Sequence, residues 1–244
     1  SARQGKVLMV DHTYLFSNPV RQIKQLIEQG ELGEIEYVDS VRVNRGRFQR
    51  DVNVVWDLAV HDASIIDHVL GAPARSVAAV GRGVVNRDVE DDVHVHVQYH
   101  SNINAHYHVN WLSPVKERRM VWGGSRKTLI FDDLDGASPL RIHDHRLAPD
   151  VQEVPGGEGG GWERSHPGVR AASWSPRVEG GEALQAMVRH FAECALGDKE
   201  PLSDGWLGLR VVQVLEAATR SLRADGARVA VATNEGIIVD GDPG

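Results

Sequence analysis

Strict alternation of apolar and polar side chains over residues 93–99 and 103–111 is the feature that most constrains this fold. The apolar positions are Val93, Val95, Val97, Tyr99, Ile103, Ala105, Tyr107, Val109 and Trp111. A period of two is typical of β-strands, because successive side chains point to opposite faces of a sheet. Since Ser101 and Asn102 separate the two runs, the sequence predicts an antiparallel pair with one apolar and one polar face.

The rest of the chain predicts more strands and a set of covering helices. Further strands are expected at 34–44, 120–122 and 128–131. Helices are expected from Pro19 to Gly30, from the Asp57 segment to Gly71, at 182–196 and at 205–224. These elements predict an α+β fold, in which helices cover one face of an open, mostly antiparallel sheet and no complete Rossmann domain is present.

Four histidines share the polar face of the predicted hairpin. His94 and His96 point the same way, and His106 and His108 stand across from them in one register. Imidazoles in such a group suit zinc, copper or iron. No carboxylate ligand is obvious on the same strands, and the sequence does not fix the register. We therefore expect no metal site, and an exposed or subunit-facing sheet surface instead.

The first residues read as the end of a buried strand. Val7–Val10 is a continuous apolar run that opens into the polar segment Asp11–Tyr14, as in a parallel-sheet strand that ends at a site. No second run of this kind supplies the neighbouring strands. Because the initiator methionine is also missing, we expect a processing or cloning boundary here, with residues 1–16 as a remnant.

Asp57 and His61 are the candidate acid/base pair. Four positions apart in a predicted helix, they are expected to lie one turn apart on the same face. A carboxylate beside an imidazole orients the ring and raises its proton affinity, as acid/base catalysis near neutral pH requires. The alternative is an aspartate that only stabilises the helix N-terminus, followed by an exposed histidine.

A segment rich in glycine and proline, Pro149–Gly181, contains Trp162 and Trp174. Its run Gly156–Gly161 is not a dinucleotide-binding fingerprint, because no strand feeds it and an acidic residue interrupts it. A long excursion of this kind is typical of a lid or binding loop, in which tryptophans offer a stacking surface for a sugar ring. Equally, the two tryptophans can simply pin the loop to the sheet.

Composition excludes several partner classes. The formal net charge of −7 and the pI of about 5.9 argue against nucleic acid and anionic membranes as partners. Cys194 is the single cysteine, so no internal disulfide forms, and it fits a buried position in a helical pattern. Nothing resembles a signal peptide or a membrane span, so we expect a cytoplasmic protein.

The order of several short motifs resembles the glucose-fructose oxidoreductase/inositol dehydrogenase/MocA (Gfo/Idh/MocA) family. The motifs are His12–Tyr14, Gly30–Ile35, Asn44–Phe48, Trp56–Asp62, Trp111–Pro114 and Ser203–Gly205. The resemblance covers nearly the whole chain, from the last Rossmann strand onward, and is closest to members that act on sugars and nucleotide sugars. It implies that the open sheet mediates homo-oligomerisation. It also implies that Asp57 and His61 lie at the substrate, and that His61 exchanges a proton during hydride transfer to or from NAD(P).

The resemblance further implies that His12, Tyr14, Asn44 and Arg47 lie near the substrate. Trp174, from the segment rich in glycine and proline, is a further candidate for substrate binding. The glycine-rich phosphate turn and the Glu-Lys-Pro segment of the family have no counterpart here, so this chain is expected to bind no cofactor itself. Ala171–Ala172 stands where relatives often carry Gly-Asp, which puts the substrate pocket in doubt. We expect a substrate-binding and oligomerisation domain at 17–233 and a tail at 234–244.

Two functional interpretations remain open. In the first, the chain is the substrate-binding, catalytic-histidine part of an NAD(P)-dependent sugar oxidoreductase without its cofactor domain, and hydride transfer by these residues alone is not possible. In the second, the chain is complete and repurposed for cofactor-independent acid/base chemistry, as in an isomerase, lyase or cyclase, or for ligand binding. Both interpretations use Asp57 and His61.

Overall fold

The computed structural model describes residues 4–46, 48–144 and 172–232. Within these ranges the chain forms one sheet of nine strands and four α-helices. The strands are β1 (Ile35–Val43), β2 (Ala74–Arg82), β3 (Asp92–Tyr99), β4 (Asn104–Asn110), β5 (Glu117–Gly124), β6 (Lys127–Asp132), β7 (Leu140–Asp144), β8 (Ala172–Trp174) and β9 (Val229–Ala230). The helices are α1 (Asn18–Glu28), α2 (Val60–Leu70), α3 (Ala183–Leu196) and α4 (Gly205–Arg223).

The strand order across the sheet is β8-β7-β6-β5-β1-β4-β3-β2-β9. The central pair β1 and β4 is parallel, and all the other pairs are antiparallel. Joining two parallel strands requires a long connection, and here α2, β2 and β3 provide it. The α+β fold with an open, mostly antiparallel sheet is confirmed.

The predicted hairpin is confirmed as β3 and β4, with Val95 opposite Tyr107 and His96 opposite His106. The inner face of the sheet is the face that carries its apolar side chains. These side chains are buried, and the largest of them, Tyr107 and Trp122, are at most 1% exposed. Helix α4 packs against β2 and α2 on this face. The outer face carries the histidines.

Residues typical of helix ends stand at the start or the end of three of the helices. Pro19 stands in the first turn of α1, and Gly71 follows α2 in the left-handed region with φ of 61°. The Asp204 carboxylate accepts a hydrogen bond from the Leu207 N–H at the start of α4. Cys194 is buried in α3, as the sequence predicts.

The predicted strand at Val7–Val10 was wrong. Only Met9 forms a bridge, with Asp204, and Leu8 is 53% exposed. The segment is held instead at the start of α4, where Ser203 accepts the Val10 N–H through its carbonyl and donates its hydroxyl to the Val10 carbonyl. An apolar run alone does not make a buried strand, because backbone partners on both sides are also required.

Within the described ranges, no helix combines the length and the apolar composition that crossing a bilayer requires. Several predictions fall outside those ranges. They concern Arg47, the glycine run Gly156–Gly161, Trp162 and the tail at 234–244. The domain boundaries at 16/17 and 233/234 stay predictions.

Candidate functional site

The hydroxyl of Tyr14 is the centre of a charged network at the ends of β1 and β5. Tyr14 lies in a 3-10 helical turn, Thr13–Phe16, just before α1. Its Oη donates to Asp133 Oδ2 at 2.9 Å and accepts from Arg42 Nη1 at 3.0 Å and Arg118 Nη1 at 3.1 Å. A phenolic hydroxyl has one proton and two lone pairs, so its hydrogen-bonding capacity is filled.

Arg42 is anchored by a buried ion pair with Asp62. Its Nε and Nη2 lie 2.9 and 2.8 Å from Asp62 Oδ1, and the two side chains are 3% and 1% exposed. Burial alone lowers the pKa of Arg42, but the charge and hydrogen bonds of Asp62 hold that pKa above its ordinary value. The guanidinium is therefore a fixed positive charge, and it also lies 4.8 Å from the centroid of the Tyr14 ring.

His61 stands beside this network without being tied into it. Its ring centroid lies 5.2 Å from that of Tyr14, and among the described residues neither ring nitrogen has a hydrogen-bond partner. Burial lowers the pKa of His61, and the charges of Arg42 and Arg118 lower it further against the opposing fields of Asp62 and Asp57. His61 is therefore neutral at pH 7, with an unused lone pair.

The predicted partnership of Asp57 and His61 takes a different form in the structure. Asp57 lies in a π-helical turn, Val55–Ala59, and its Oδ2 accepts from Trp111 Nε1 at 2.8 Å. No hydrogen bond joins it to His61 within the described part of the chain. The charge of Asp57 does raise the pKa of His61, as expected, but burial and two arginines outweigh it, so the net shift of that pKa is downward.

Asn44 and His12 are not hydrogen-bonded to the network within the described part of the chain. The Asn44 N–H donates to the Asn110 carbonyl at the end of β1, close to the edge of Trp111 that faces Gly46. His12 is buried, and its Nε2 has no hydrogen-bond partner. Burial lowers the pKa of His12, although Asp11 and Asp67 oppose the shift.

Trp174 lies away from this group. It pairs with Ile142 at the outer edge of the sheet, and its ring is 5.1 Å from Lys127 Nζ. The cross-strand pairing that includes Trp174 reaches β5 at Trp122. Trp122 is four residues from Arg118 on that strand, a distance of about 13 Å. Among the sequence-predicted residues, the structure thus brings together Tyr14 and His61, with Asp57 and Asn44 around Trp111.

Sequence reasoning missed the arginines of the network. Arg42 alternates with Val38 and Ser40 on the inner face of β1, and Arg118 alternates with Met120 on β5. A charged residue at an inward-facing position is the signal that could have identified both. Asp133 follows β6 in a turn, and no local signal marks it.

Buried polar atoms without partners surround the network. Asp62 Oδ2, Arg118 Nε and Ser40 Oγ are buried and lack a hydrogen-bond partner. Such atoms are uncommon in folded proteins, because each costs roughly 1–3 kcal/mol unless a ligand or water satisfies it. The arrangement suits a small ligand rich in hydroxyl groups.

The described residues do not fit a dinucleotide. NAD(P) sites place the pyrophosphate at a helix N-terminus that follows a strand and a glycine-rich turn. Here α3 and α4 begin with the carboxylates of Glu182 and Asp204 bound to their free N–H groups. Helix α1 has a proline in its first turn, and α2 continues a π-helical turn. Neither α1 nor α2 directly follows a strand and a glycine-rich turn.

Comparisons with known proteins give a consistent result. Residues 20–130 match the family described as the GFO/IDH/MocA C-terminal domain. UDP-N-acetylglucosamine 3-dehydrogenase from Acidithiobacillus ferrooxidans has a similar structure, with a TM-score of 0.71 and 20% identity over 90% of this chain and 63% of that one. The aldose-aldose oxidoreductase from Caulobacter crescentus has a TM-score of 0.73 and 18% identity over 94% of this chain and 65% of that one.

A structure described as a putative oxidoreductase from Magnetospirillum magnetotacticum has a TM-score of 0.68 and 27% identity. That match covers 88% of this chain and 64% of the other. The chain therefore spans less than two thirds of the length of these three proteins. No match was found among curated proteins. Residues 20–130 thus match a GFO/IDH/MocA C-terminal domain in sequence, and the three solved structures share the fold of this chain.

Proposed function

We propose that this chain is the substrate-binding and proton-transfer part of a sugar oxidoreductase, with His61 as the catalytic residue. The observation that carries the proposal is the position of His61, a neutral imidazole without a hydrogen-bond partner among the described residues, against Tyr14 and two arginines. In alcohol oxidation the substrate hydroxyl must lose a proton, and a neutral imidazole accepts one. His61 therefore serves as a base in one direction and as an acid in the other.

The other residues of the network position the substrate. The Tyr14 hydroxyl is filled by Asp133, Arg42 and Arg118, so Tyr14 offers its ring face and not a free proton. Arg118 retains a buried Nε–H without a partner, which can donate to a hydroxyl or to the oxygen that becomes negative. Asp57 and Asn44 act through Trp111, against which Phe48 also packs at 6.1 Å between ring centroids.

The family resemblance implies that NAD(P) serves the whole protein. Since the described residues do not fit a dinucleotide, we propose that the cofactor is held outside them, and that a second wall of the substrate site is supplied there too. A groove of about 420 Å³ between the start of β2 and α4 does not include His61. Sugars and nucleotide sugars are the proposed substrate class, since two structurally similar proteins carry such substrates in their names.

The test is an oxidation assay on the protein as its source produces it, with NAD⁺ or NADP⁺ and a panel of free aldoses and UDP-N-acetylglucosamine. We expect nicotinamide reduction with at least one sugar, and a loss of kcat of about 10²-fold or more in His61→Ala, the usual contribution of a general acid/base. The matched control is His100→Ala, an exposed histidine in the β3–β4 turn. Unchanged kcat in His61→Ala would refute the assignment, and sugar turnover without nicotinamide would favour the cofactor-independent alternative.

A further inference from the structure

The outer face of the sheet carries an imidazole cluster that the proposed function does not use. The register of β3 and β4 places His94 opposite His108 and His96 opposite His106. The rings of His94 and His108 stack, with centroids 4.1 Å apart and planes 7° from parallel. Four imidazoles thus occupy two adjacent rungs, on the opposite face from Arg42 and His61.

A carboxylate completes the first of these rungs. Asp92 begins β3 two residues before His94, and its Oδ1 lies 3.3 Å from His108 Nε2. One ligand atom from each of Asp92, His94 and His108 lies within 4.8 Å of the other two. Bonds of about 2.0–2.2 Å to a tetrahedral ion place ligand atoms roughly 3.3–3.5 Å apart, so small side-chain rotations close the set.

The second rung is already satisfied by its own hydrogen bonds. His96 Nδ1 lies 2.7 Å from His106 Nε2, and His106 Nδ1 lies 3.0 Å from Asp39 Oδ1. These bonds occupy both ring nitrogens of His106. In the first rung, by contrast, the two rings are stacked face to face, and no hydrogen bond joins His94 to His108 among the described residues. His108 is hydrogen-bonded to Asp92 and Asn110, whereas the His94 ring has no hydrogen-bond partner among the described residues. The first rung is therefore the better ligand set, because it has a carboxylate beside His108 and a free imidazole.

We propose that Asp92, His94 and His108 bind a divalent transition-metal ion, with Zn²⁺ as the reference case. Two imidazoles and one carboxylate are a donor set that Zn²⁺ and its neighbours in the first transition row accept. Asn110 Nδ2 lies 3.1 Å from His108 Nε2 and donates to its lone pair, so a metal ion bound at Nε2 replaces this hydrogen bond. Three protein ligands leave a coordination position that opens into a groove of about 430 Å³, bordered by Val80 and the second rung.

Two expectations from the sequence change with this proposal. Asp92 supplies the carboxylate ligand that was not obvious from the sequence of these strands. The structure also defines the register of β3 and β4, which the sequence left open.

The test is calorimetric titration of the chelator-treated, tag-free protein with Zn²⁺, and the absorption spectrum of the same protein with Co²⁺. We expect one strong equivalent per chain and a Co²⁺ spectrum of low coordination number. His94→Ala and His108→Ala should each weaken Zn²⁺ binding at least tenfold, since loss of even an outer partner costs about 10–100-fold. Asp92→Asn should weaken it as well.

The matched controls are His96→Ala from the second rung and His143→Ala from β7, both of which should retain wild-type binding. Circular dichroism checks that each variant is folded. The proposal is overturned if the wild-type protein binds no stoichiometric Zn²⁺. It is equally overturned if His94→Ala and His108→Ala bind like the wild type, or if His96→Ala loses as much affinity as they do. None of these results depends on turnover at His61.

Discussion

At the scale of single residues, Arg42 forms an ion pair with Asp62 and also donates a hydrogen bond to the Tyr14 hydroxyl. Both side chains of the ion pair are nearly inaccessible, so neither charge is solvated by water. A buried pair of this kind adds little net stability, but the loss of one partner leaves an uncompensated charge in the interior. Arg42 therefore couples the stability of the fold to the geometry around His61.

Replacing Arg42 by methionine should lower the free energy of unfolding by about 3–5 kcal/mol, because Asp62 is left buried and unpaired. Urea denaturation measures this change. The matched control is Glu117→Gln, which removes a partner from the exposed Arg119–Glu117 pair at 3.1 Å and should cost only about 0–1 kcal/mol. Equal effects of the two substitutions would show that Arg42 is not a buried ionic anchor.

At the scale of elements, the π-helical turn explains why Asp57 and His61 are not hydrogen-bonded. In a regular α-helix, residues four apart lie one above the other. A π-helical turn contains more residues, so the same spacing no longer aligns the two side chains. Asp57 is therefore hydrogen-bonded to Trp111, directly after β4, and His61 lies beside Tyr14.

The end of β5 is tightly packed against the loop between α1 and β1. A methyl group at Gly124 would overlap the carbonyl oxygen of Leu32, whose backbone cannot easily move. Gly124→Ala should therefore destabilise the protein by about 1–3 kcal/mol. Gly136→Ala, where a methyl group meets no atom within 4 Å, should leave the urea midpoint unchanged or slightly raised. A neutral Gly124→Ala would contradict this close packing.

The features that the sequence predicts correctly depend on residues close together in the chain. The alternation over 93–111, Pro19 in α1, Gly71 after α2 and the Asp204 cap each depend on neighbours in the chain, and each is confirmed. The contacts of Arg42 with Asp62 and of Tyr14 with Asp133 join distant parts of the chain, so no periodicity reveals them. The parallel pairing of β1 with β4 is non-local in the same way.

At the scale of the whole molecule, the open face of the nine-stranded sheet determines what the domain can assemble with. Helices cover the inner face, whereas the outer face exposes apolar side chains such as Tyr37 and Val80 among polar ones. Mixed surfaces of this kind are typical of subunit interfaces. Homo-oligomerisation through this sheet stays a prediction.

Val80→Lys tests the predicted interface, since Val80 is 65% exposed on β2. If copies of the chain pair through the sheet, burying a lysine there should raise the dissociation constant of the oligomer at least about tenfold, or 1.4 kcal/mol. Val115→Lys, at a position 69% exposed in a loop outside the sheet, should have no effect. Sedimentation equilibrium measures both, and a monomeric wild-type protein would contradict the prediction.

The proton-transfer role of His61 is tested most directly by nuclear magnetic resonance of its ring nitrogens. The spectra are recorded as a function of pH, with and without UDP-N-acetylglucosamine or a free aldose, and His61→Gln assigns the signal. We expect the pKa of His61 to lie below 6.5, because burial and two arginines disfavour the charged ring, and we expect its signal to shift when a sugar binds. A pKa at or above 6.5, with a signal that no sugar perturbs, would contradict the assignment.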